Sequence, residues 1–149
     1  METGVLLHKL KNGGVKGKLG CWLACFLDSS RRQQAVAVDG RVSALSPVIS
    51  GVPQGTVLGP VLFLLHIADI ARDVTARTKT SSYVDDTRAS RCMLNPDKDC
   101  QALQEDLASI YGWAEDVNMT FNADKFECLR FWPGLPNLMA TICHLTAHL

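Results

Sequence analysis

The sequence carries no excess charge of either sign. Its 149 residues include 15 basic and 15 acidic side chains, so the formal net charge is zero. Proteins that grip polynucleotides as free-standing binders usually have a basic excess, because neutralising phosphates drives their affinity. Without it, any hold on a polynucleotide must come from local patches such as Lys9, Lys11, Lys16, Lys18, Arg31 and Arg32. On composition alone those patches read as solvated helix faces. Paired cysteine spacings are also missing. Cys21, Cys25, Cys92, Cys100, Cys128 and Cys143 form no CxxC pair and no zinc-site spacing. No secretory signal follows Met1, where Glu2 and soon Lys9 stand. Reduced thiols and an intracellular location, nuclear or cytoplasmic, are the expectation. The longest apolar run, Val57 to Ile67, contains Gly59, Pro60 and His66. It falls short of the roughly 18 residues of a membrane-spanning helix, so no membrane partner is expected. No internal repeat occurs. What is present is a hydrophobic fraction of 47%, enough for one ordinary domain with a core.

The apolar spacing predicts a short helix from Val5 to Lys11, stopped by Asn12-Gly13-Gly14. A second helix is predicted from Gly17 to Leu27, with Leu19, Trp22, Leu23 and Phe26 as its apolar stripe. Gln33 to Val38 and Arg41 to Leu45 flank Asp39-Gly40, a hairpin signal because both central residues tolerate positive φ. Val48 to Val52 reads as a strand. Pro60 suits the first turn of a helix reaching about Ala71. That helix is apolar on nearly every face and so is expected to be buried on most sides. Thr80 to Met93 reads as strand, tight turn, strand. Asp97 to Val117 is the clearest amphipathic helix, with Leu103, Leu107, Ile110, Ala114 and Val117 three or four apart. Lys125 to Trp132 reads as a final strand ended by Pro133-Gly134. Leu135 to Leu149 shows no clear period.

Three stretches carry candidate chemistry. In Ser50-Gly51-Val52-Pro53-Gln54-Gly55-Thr56-Val57-Leu58-Gly59-Pro60, glycine and proline punctuate a strand-to-helix turn. Such a turn offers backbone N–H groups to a nucleotide or template backbone, and glycines allow close approach; an ordinary tight loop explains it equally well. In Tyr83-Val84-Asp85-Asp86, neighbouring aspartates at a hairpin turn let at least one carboxylate reach a divalent ion. Mg2+ prefers hard oxygens and often uses one or two carboxylates plus substrate phosphates. A solvated acidic turn is the plainer alternative. In Asn122-Ala123-Asp124-Lys125, a lysine near a reactive phosphate would act as proton donor or electrostatic clamp. By itself it is more simply an exposed lysine entering a strand.

The order and spacing of the three stretches change their weight. The glycine-proline stretch, an apolar helix, Tyr-x-Asp-Asp in a hairpin, a helix carrying Trp113-Ala114 and an Asn-x-x-Lys turn together resemble the palm of non-LTR retrotransposon reverse transcriptases. The resemblance runs from about Val5 to Phe131 and includes Leu6-Leu7-His8-Lys9-Leu10 and the hairpin at Asp39-Gly40. It implies that Asp85 binds catalytic metal and that Asp86 shapes the turn and assists. It implies that Pro53, Gln54 and Gly55 line the incoming nucleotide and template, and that Lys125 is the general acid for the pyrophosphate leaving group. The implied cofactor is Mg2+. The implied partners are an RNA template, a DNA primer and deoxynucleotides.

The resemblance also implies a gap. The family carries another catalytic aspartate in a strand shortly before the Leu-Leu-His-Lys-Leu region, whereas no Asp precedes Asp28 here. Two-metal phosphoryl transfer clamps the attacking and leaving oxygens with ions about 3.5–4 Å apart, and bridging both takes carboxylates from two strands. The expected fold is therefore α+β, an incomplete polymerase palm with a small antiparallel sheet and helices packed on one face. Residues 1–132 form a partial reverse transcriptase domain lacking the first catalytic strand, fingers and thumb, and residues 133–149 a divergent tail. The isolated chain is expected to be inactive, with self-association through the open sheet edge. The alternatives are a catalytically dead palm that still binds nucleic acid, and a non-functional retroelement remnant.

Overall fold

The structure, a computed structural model, describes residues 2–131 and 139–148. The chain divides into two compact units, Met1–Ile67 and Ala68–Leu149.

In the first unit, α1 spans Thr3–Asn12, α2 spans Gly17–Leu27 and α3 spans Leu58–Ile67. Gly14 takes φ 92°, and the Gly14 and Val15 N–H groups return to the Lys11 and Leu10 carbonyls at 3.2 and 2.9 Å, so the Asn12-Gly13-Gly14 stop works as predicted. Leu6 and Leu10 of α1, Leu23 and Leu27 of α2, and Leu62 of α3 make the core. Full burial of such a leucine contributes about 1.5–3 kcal/mol. The predicted α2 stripe is corrected: Leu19 and Trp22 stay half-exposed, while Leu27 is fully buried. Helix α2 is apolar on two adjoining rows, and its packing partner selects the Leu23–Leu27 row. Trp22 instead stacks on Phe26, ring centroids 5.4 Å apart.

Helix α3 begins two residues before Pro60 and ends at Ile67, short of the predicted Ala71. Gly59, Leu62, Phe63, His66 and Ile67 are buried, whereas Val61, Leu64 and Leu65 are largely exposed. The expectation of burial on most sides is thus corrected to burial on one face. Lys9 Nζ donates to the His66 carbonyl at 2.6 Å, satisfying a carbonyl of the last turn. Between α2 and α3 lie four two-residue strands: β1 (Gln33–Gln34), β2 (Ala37–Val38), β3 (Arg41–Val42) and β4 (Ser46–Pro47). Asp39 and Gly40 have φ of 50° and 76° and close the β2–β3 hairpin as a type I′ turn. Strand β1 pairs with β4 below it. The predicted strand Val48–Val52 does not form: the chain bends at Gly51, φ 83°.

In the second unit, β5 (Thr78–Tyr83) and β6 (Asp86–Met93) form a hairpin, and α4 (Pro96–Asp116) follows. Asn95 caps α4, its Oδ1 accepting the Lys98 N–H at 3.3 Å, with Pro96 at the first helical position. The amphipathic prediction for α4 holds, since Leu103, Leu107, Ile110, Ala114 and Val117 are all buried. Helix α4 packs on β6. Strands β7 (Thr120–Phe121), β8 (Glu127–Phe131) and β9 (Met139–His148) complete an antiparallel sheet of order β5-β6-β9-β7, with β8 also beside β9. The tail without a clear period therefore supplies a central strand. Its pairing runs from Asp86↔Thr146 to Met93↔Met139 on one side and from Glu127↔His144 to Phe131↔Ala140 on the other. The predicted end of the last strand at Trp132 and the Pro133-Gly134 stop lie outside the described residues. The fold is α+β, with small antiparallel sheets.

Candidate active site

The β5–β6 ladder pairs Thr78 with Arg91 at its base and Tyr83 with Asp86 at its tip. Two residues remain for the loop, Val84 and Asp85. Of these only Val84 has positive φ, 56°, the pattern of a type II′ hairpin turn. A β-branched residue is rarely found there. This turn exposes Asp85 at the tip and starts β6 with a half-buried Asp86. Tyr83, opposite Asp86, is 81% exposed. One residue pair down, Ser82 Oγ and Thr87 Oγ1 lie 3.1 Å apart and tie the two strands.

The base of the hairpin is clamped by charge. Arg91 sits in the inward-facing series Thr87, Ala89, Arg91, Met93 of β6, all buried. Its Nε donates to Asp99 Oδ1 at 3.2 Å. Its Nη1 donates to Thr75 Oγ1 at 2.9 Å and Thr78 Oγ1 at 3.0 Å, and lies 3.4 Å from Asp106 Oδ2. Asp106 also accepts from the Thr75 N–H and hydroxyl, both at 2.8 Å, and from the Thr78 hydroxyl. Asp99 Oδ2 accepts the Leu94 and Asn95 N–H groups at 2.9 and 2.8 Å, while Arg77 approaches Oδ1 at 3.2 Å. The Asn95 N–H, aided by Arg91 and Arg77, holds the Asp99 carboxyl below the usual range against the cost of burial. Burial pushes Asp106 up, but the Thr78 and Thr75 hydrogen bonds and Arg91 outweigh it, and its carboxyl also sits low.

Lys125 ends a short 3-10 turn, Ala123–Lys125, in which Asn122 Oδ1 accepts the Asp124 N–H at 3.0 Å. It precedes Glu127, the first β8 residue paired to β9, by two positions. Asp86 pairs to β9 at Thr146 and Glu127 at His144. Lys125 thus precedes, and Asp86 begins, strands that pair with β9 toward the same end of the sheet.

Pro53, Gln54 and Gly55 belong to the first unit. Gly55 has φ 74°, and Gln54 and Gly55 form an exposed turn before α3. Thr56 organises it, its hydroxyl donating to the Pro53 carbonyl at 2.7 Å and accepting the Gly59 N–H at 3.1 Å. A Cβ on Gly59 would stand 2.9 Å from the Pro53 carbonyl oxygen, so this close approach requires glycine. Arg32 braces the other side, Nη1 donating to the Gly51 carbonyl at 2.9 Å.

The carboxylates at the hairpin are hard oxygen donors suited to Mg2+. They are two, and among the described residues no group of three or more His, Cys, Asp or Glu side chains gathers as a metal site. Residues 5–136 match the family described as reverse transcriptase (RNA-dependent DNA polymerase). The chain belongs to the reverse transcriptase family. It is 35% identical over 106 residues to the RNA-directed DNA polymerase from mobile element jockey of Drosophila melanogaster. It is 34% identical over 109 residues to the protein of the same description from Drosophila funebris. The matches cover 64% and 67% of this chain but only 11% and 12% of those proteins. No solved structure matches it. No helix among the described residues is long and apolar enough to cross a membrane.

In this member of the reverse transcriptase family the family's motifs are contiguous in sequence, whereas the residues that support the hairpin are not. Arg91, Asp99 and Asp106 carried a signal nonetheless. Arg91 breaks the apolar series on the inward face of β6. Asp99 and Asp106 flank Leu103 at helical spacing and so share the buried face of α4. Charge at positions that periodicity assigns to the core points to a partnered network.

Proposed function

We propose that this chain supplies the metal hairpin and the nucleotide-side loop of an RNA-directed DNA polymerase. Asp85 and Asp86 would hold Mg2+, which supplies neutralisation of phosphate charge when bound. Pro53, Gln54 and Gly55 line the incoming deoxynucleotide and the RNA template, with glycine permitting close approach of the backbone. Lys125 protonates the pyrophosphate leaving group as the primer 3′ oxygen attacks. The observation that carries the reading is the two-residue turn that projects Asp85 into solvent from a hairpin anchored at its base. Anchoring matters because misplacement of a reacting group by about 1 Å costs on the order of 100-fold in rate.

By themselves, the 149 residues are proposed to bind metal weakly and not to polymerise. Two ions about 3.5–4 Å apart are proposed to need bridging carboxylates from two separate strands, and Asp85 and Asp86 belong to one hairpin. The test is primer extension on an RNA template with Mg2+, comparing the chain with its Asp85→Asn form, beside Mn2+ binding followed by electron paramagnetic resonance. The expected result is no extension by either protein and Mn2+ binding that weakens in the variant. Extension that disappears in Asp85→Asn would show that the chain is a complete catalyst. Mn2+ binding indifferent to Asp85→Asn would remove the metal role. Salt-sensitive RNA binding without metal binding would leave a palm that only holds nucleic acid.

A further inference from the structure

The loop before α3 rests on a partly buried charge. Arg32 immediately precedes β1. Its carbonyl accepts the Val48 N–H at 2.9 Å, so its backbone runs beside the segment that enters the loop. Its Nη1 donates to the Gly51 carbonyl at 2.9 Å. Its Nε and Nη2 are buried and have no hydrogen-bond partner among the described residues.

A guanidinium presents its donors as a rigid planar fork, and the Nε–H and one Nη2 N–H point the same way. That edge takes a carboxylate or a phosphate with two parallel hydrogen bonds. In Arg32 this whole edge is unpaired, while Nη1 alone holds the loop. Charged donors left buried and unpaired are costly, and buried polar atoms are otherwise nearly always satisfied. An oxyanion that meets the edge removes that cost. Asp28 does not supply it. Its Oδ1 accepts the Ser30 N–H and hydroxyl at 3.0 and 2.7 Å, and its Oδ2 lies 3.3 Å from Arg31 Nε.

The edge is covered, so a ligand reaches it only when the loop moves. Gly51 and Gly55 take φ of 83° and 74° and bracket Val52-Pro53-Gln54. No heavy atom stands within 4 Å of where a Cβ would sit on either glycine, so both have room to turn. Hinges of this kind concentrate a backbone change in a few positions.

We propose that Arg32 is a phosphate-binding residue of this loop. When Val52-Pro53-Gln54 swings about Gly51 and Gly55, the Nε–Nη2 edge meets a phosphate oxyanion and grips it with two hydrogen bonds. The ligand is a phosphate group, of a nucleotide or of an RNA backbone. The proposal rests on the reading of Pro53, Gln54 and Gly55 as the nucleotide and template loop.

The test uses the full chain with nitrogen-15-labelled arginine, in the absence of metal, so that the role of Asp85 and Asp86 is not being read. Inorganic tripolyphosphate, a deoxynucleoside triphosphate and a short single-stranded RNA are titrated separately. The Arg32 Nε–H signal, assigned by its loss in Arg32→Lys, is expected to move with tripolyphosphate and with at least one of the other two. Binding is expected to weaken roughly 10–100-fold in Arg32→Gln, the scale of lost charge-assisted hydrogen bonds, and to be unchanged in Arg31→Gln. A response to the triphosphate and not to RNA assigns the site to the nucleotide, and the reverse assigns it to the template. A response to tripolyphosphate alone would keep the phosphate site and remove the reading of the loop. An Arg32 signal that none of the three moves would overturn the proposal, as would binding that Arg31→Gln weakens as much as Arg32→Gln. The wild-type signal decides even if Arg32→Gln fails to fold.

Discussion

Arg91 and Asp106 form an ion pair inside the second unit, with their side chains 7% and 2% exposed. Arg91 belongs to β6 and Asp106 to α4, so the pair ties the hairpin to its supporting helix. Every other contact of the cluster extends that tie: Thr75 and Thr78 bring in the β5 side, and Asp99 brings in the turn before α4. Removing one partner of a satisfied buried network leaves the others charged and exposed to no water, which is costlier than never having built it.

Asp106→Ala is accordingly expected to destabilise the chain by about 3–5 kcal/mol. Urea denaturation followed by tryptophan fluorescence measures this, because Trp113 is buried in the same unit. A loss of less than about 1 kcal/mol, the level of an exposed pair, would mean that the clamp carries little of the stability.

The same carboxylates set an acid limit. Asp99 and Asp106 both titrate below their unfolded value near 3.9. In the window between folded and unfolded pKa the unfolded chain binds more protons, so stability rises with pH there. Their contribution is fully present above about pH 5 and fades as pH falls through the folded pKa. The stability gap between the wild type and Asp99→Asn should be constant from about pH 7 to 5 and close below about pH 4. Thermal melts across that range read the gap, and one that widened in acid would reverse the assigned direction.

Gly59→Ala should disturb the Pro53–Gly55 loop, because the added carbon meets the Pro53 carbonyl oxygen at 2.9 Å. A loss of about 1–3 kcal/mol is expected from this overpacking. Thr56→Ala, which deletes the hydroxyl bridging Pro53 and Gly59, should cost about 1 kcal/mol as a lost cap. Melting temperatures of the two variants rank the effects, with Gly59→Ala the more damaging.

Val84→Gly should stabilise the hairpin. A non-glycine residue in the left-handed region carries about 1–2 kcal/mol of steric cost, and glycine returns about 0.5–1 kcal/mol of that through its unfolded-state freedom. The net gain is on the order of 1 kcal/mol or less. Chemical denaturation tests it, and a variant less stable than wild type would mean that the Val84 side chain contributes contacts worth more than the strain.

Much of the local structure was legible because it is governed by neighbours in the chain. Asp39-Gly40 specifies its hairpin through two positive φ values, and α4 was read from Asp97, one residue after the Pro96 at which it begins. A tight turn within Thr80 to Met93 was legible, but it was read at Asp85-Asp86, whereas the ladder pairs Tyr83 with Asp86 and leaves Val84 and Asp85 as the loop. The α4 face was readable because five apolar residues recur at helical spacing with polar ones between them.

Other features were chosen by partners distant in sequence. Helix α2 is apolar on adjoining rows, and only α1 and α3 decide that Leu23 and Leu27 enter the core while Trp22 stays outside. Helix α3 is apolar all round, so its composition cannot say which face packs. Strand β9 has no alternating pattern, and its place follows from hydrogen bonding to β6 and β8 on either side. The Tyr83-Val84-Asp85-Asp86 motif was written in adjacent residues. The clamp of Arg91, Asp99 and Asp106 exists only once the hairpin and α4 have packed, because a buried charge finds its partners through tertiary structure.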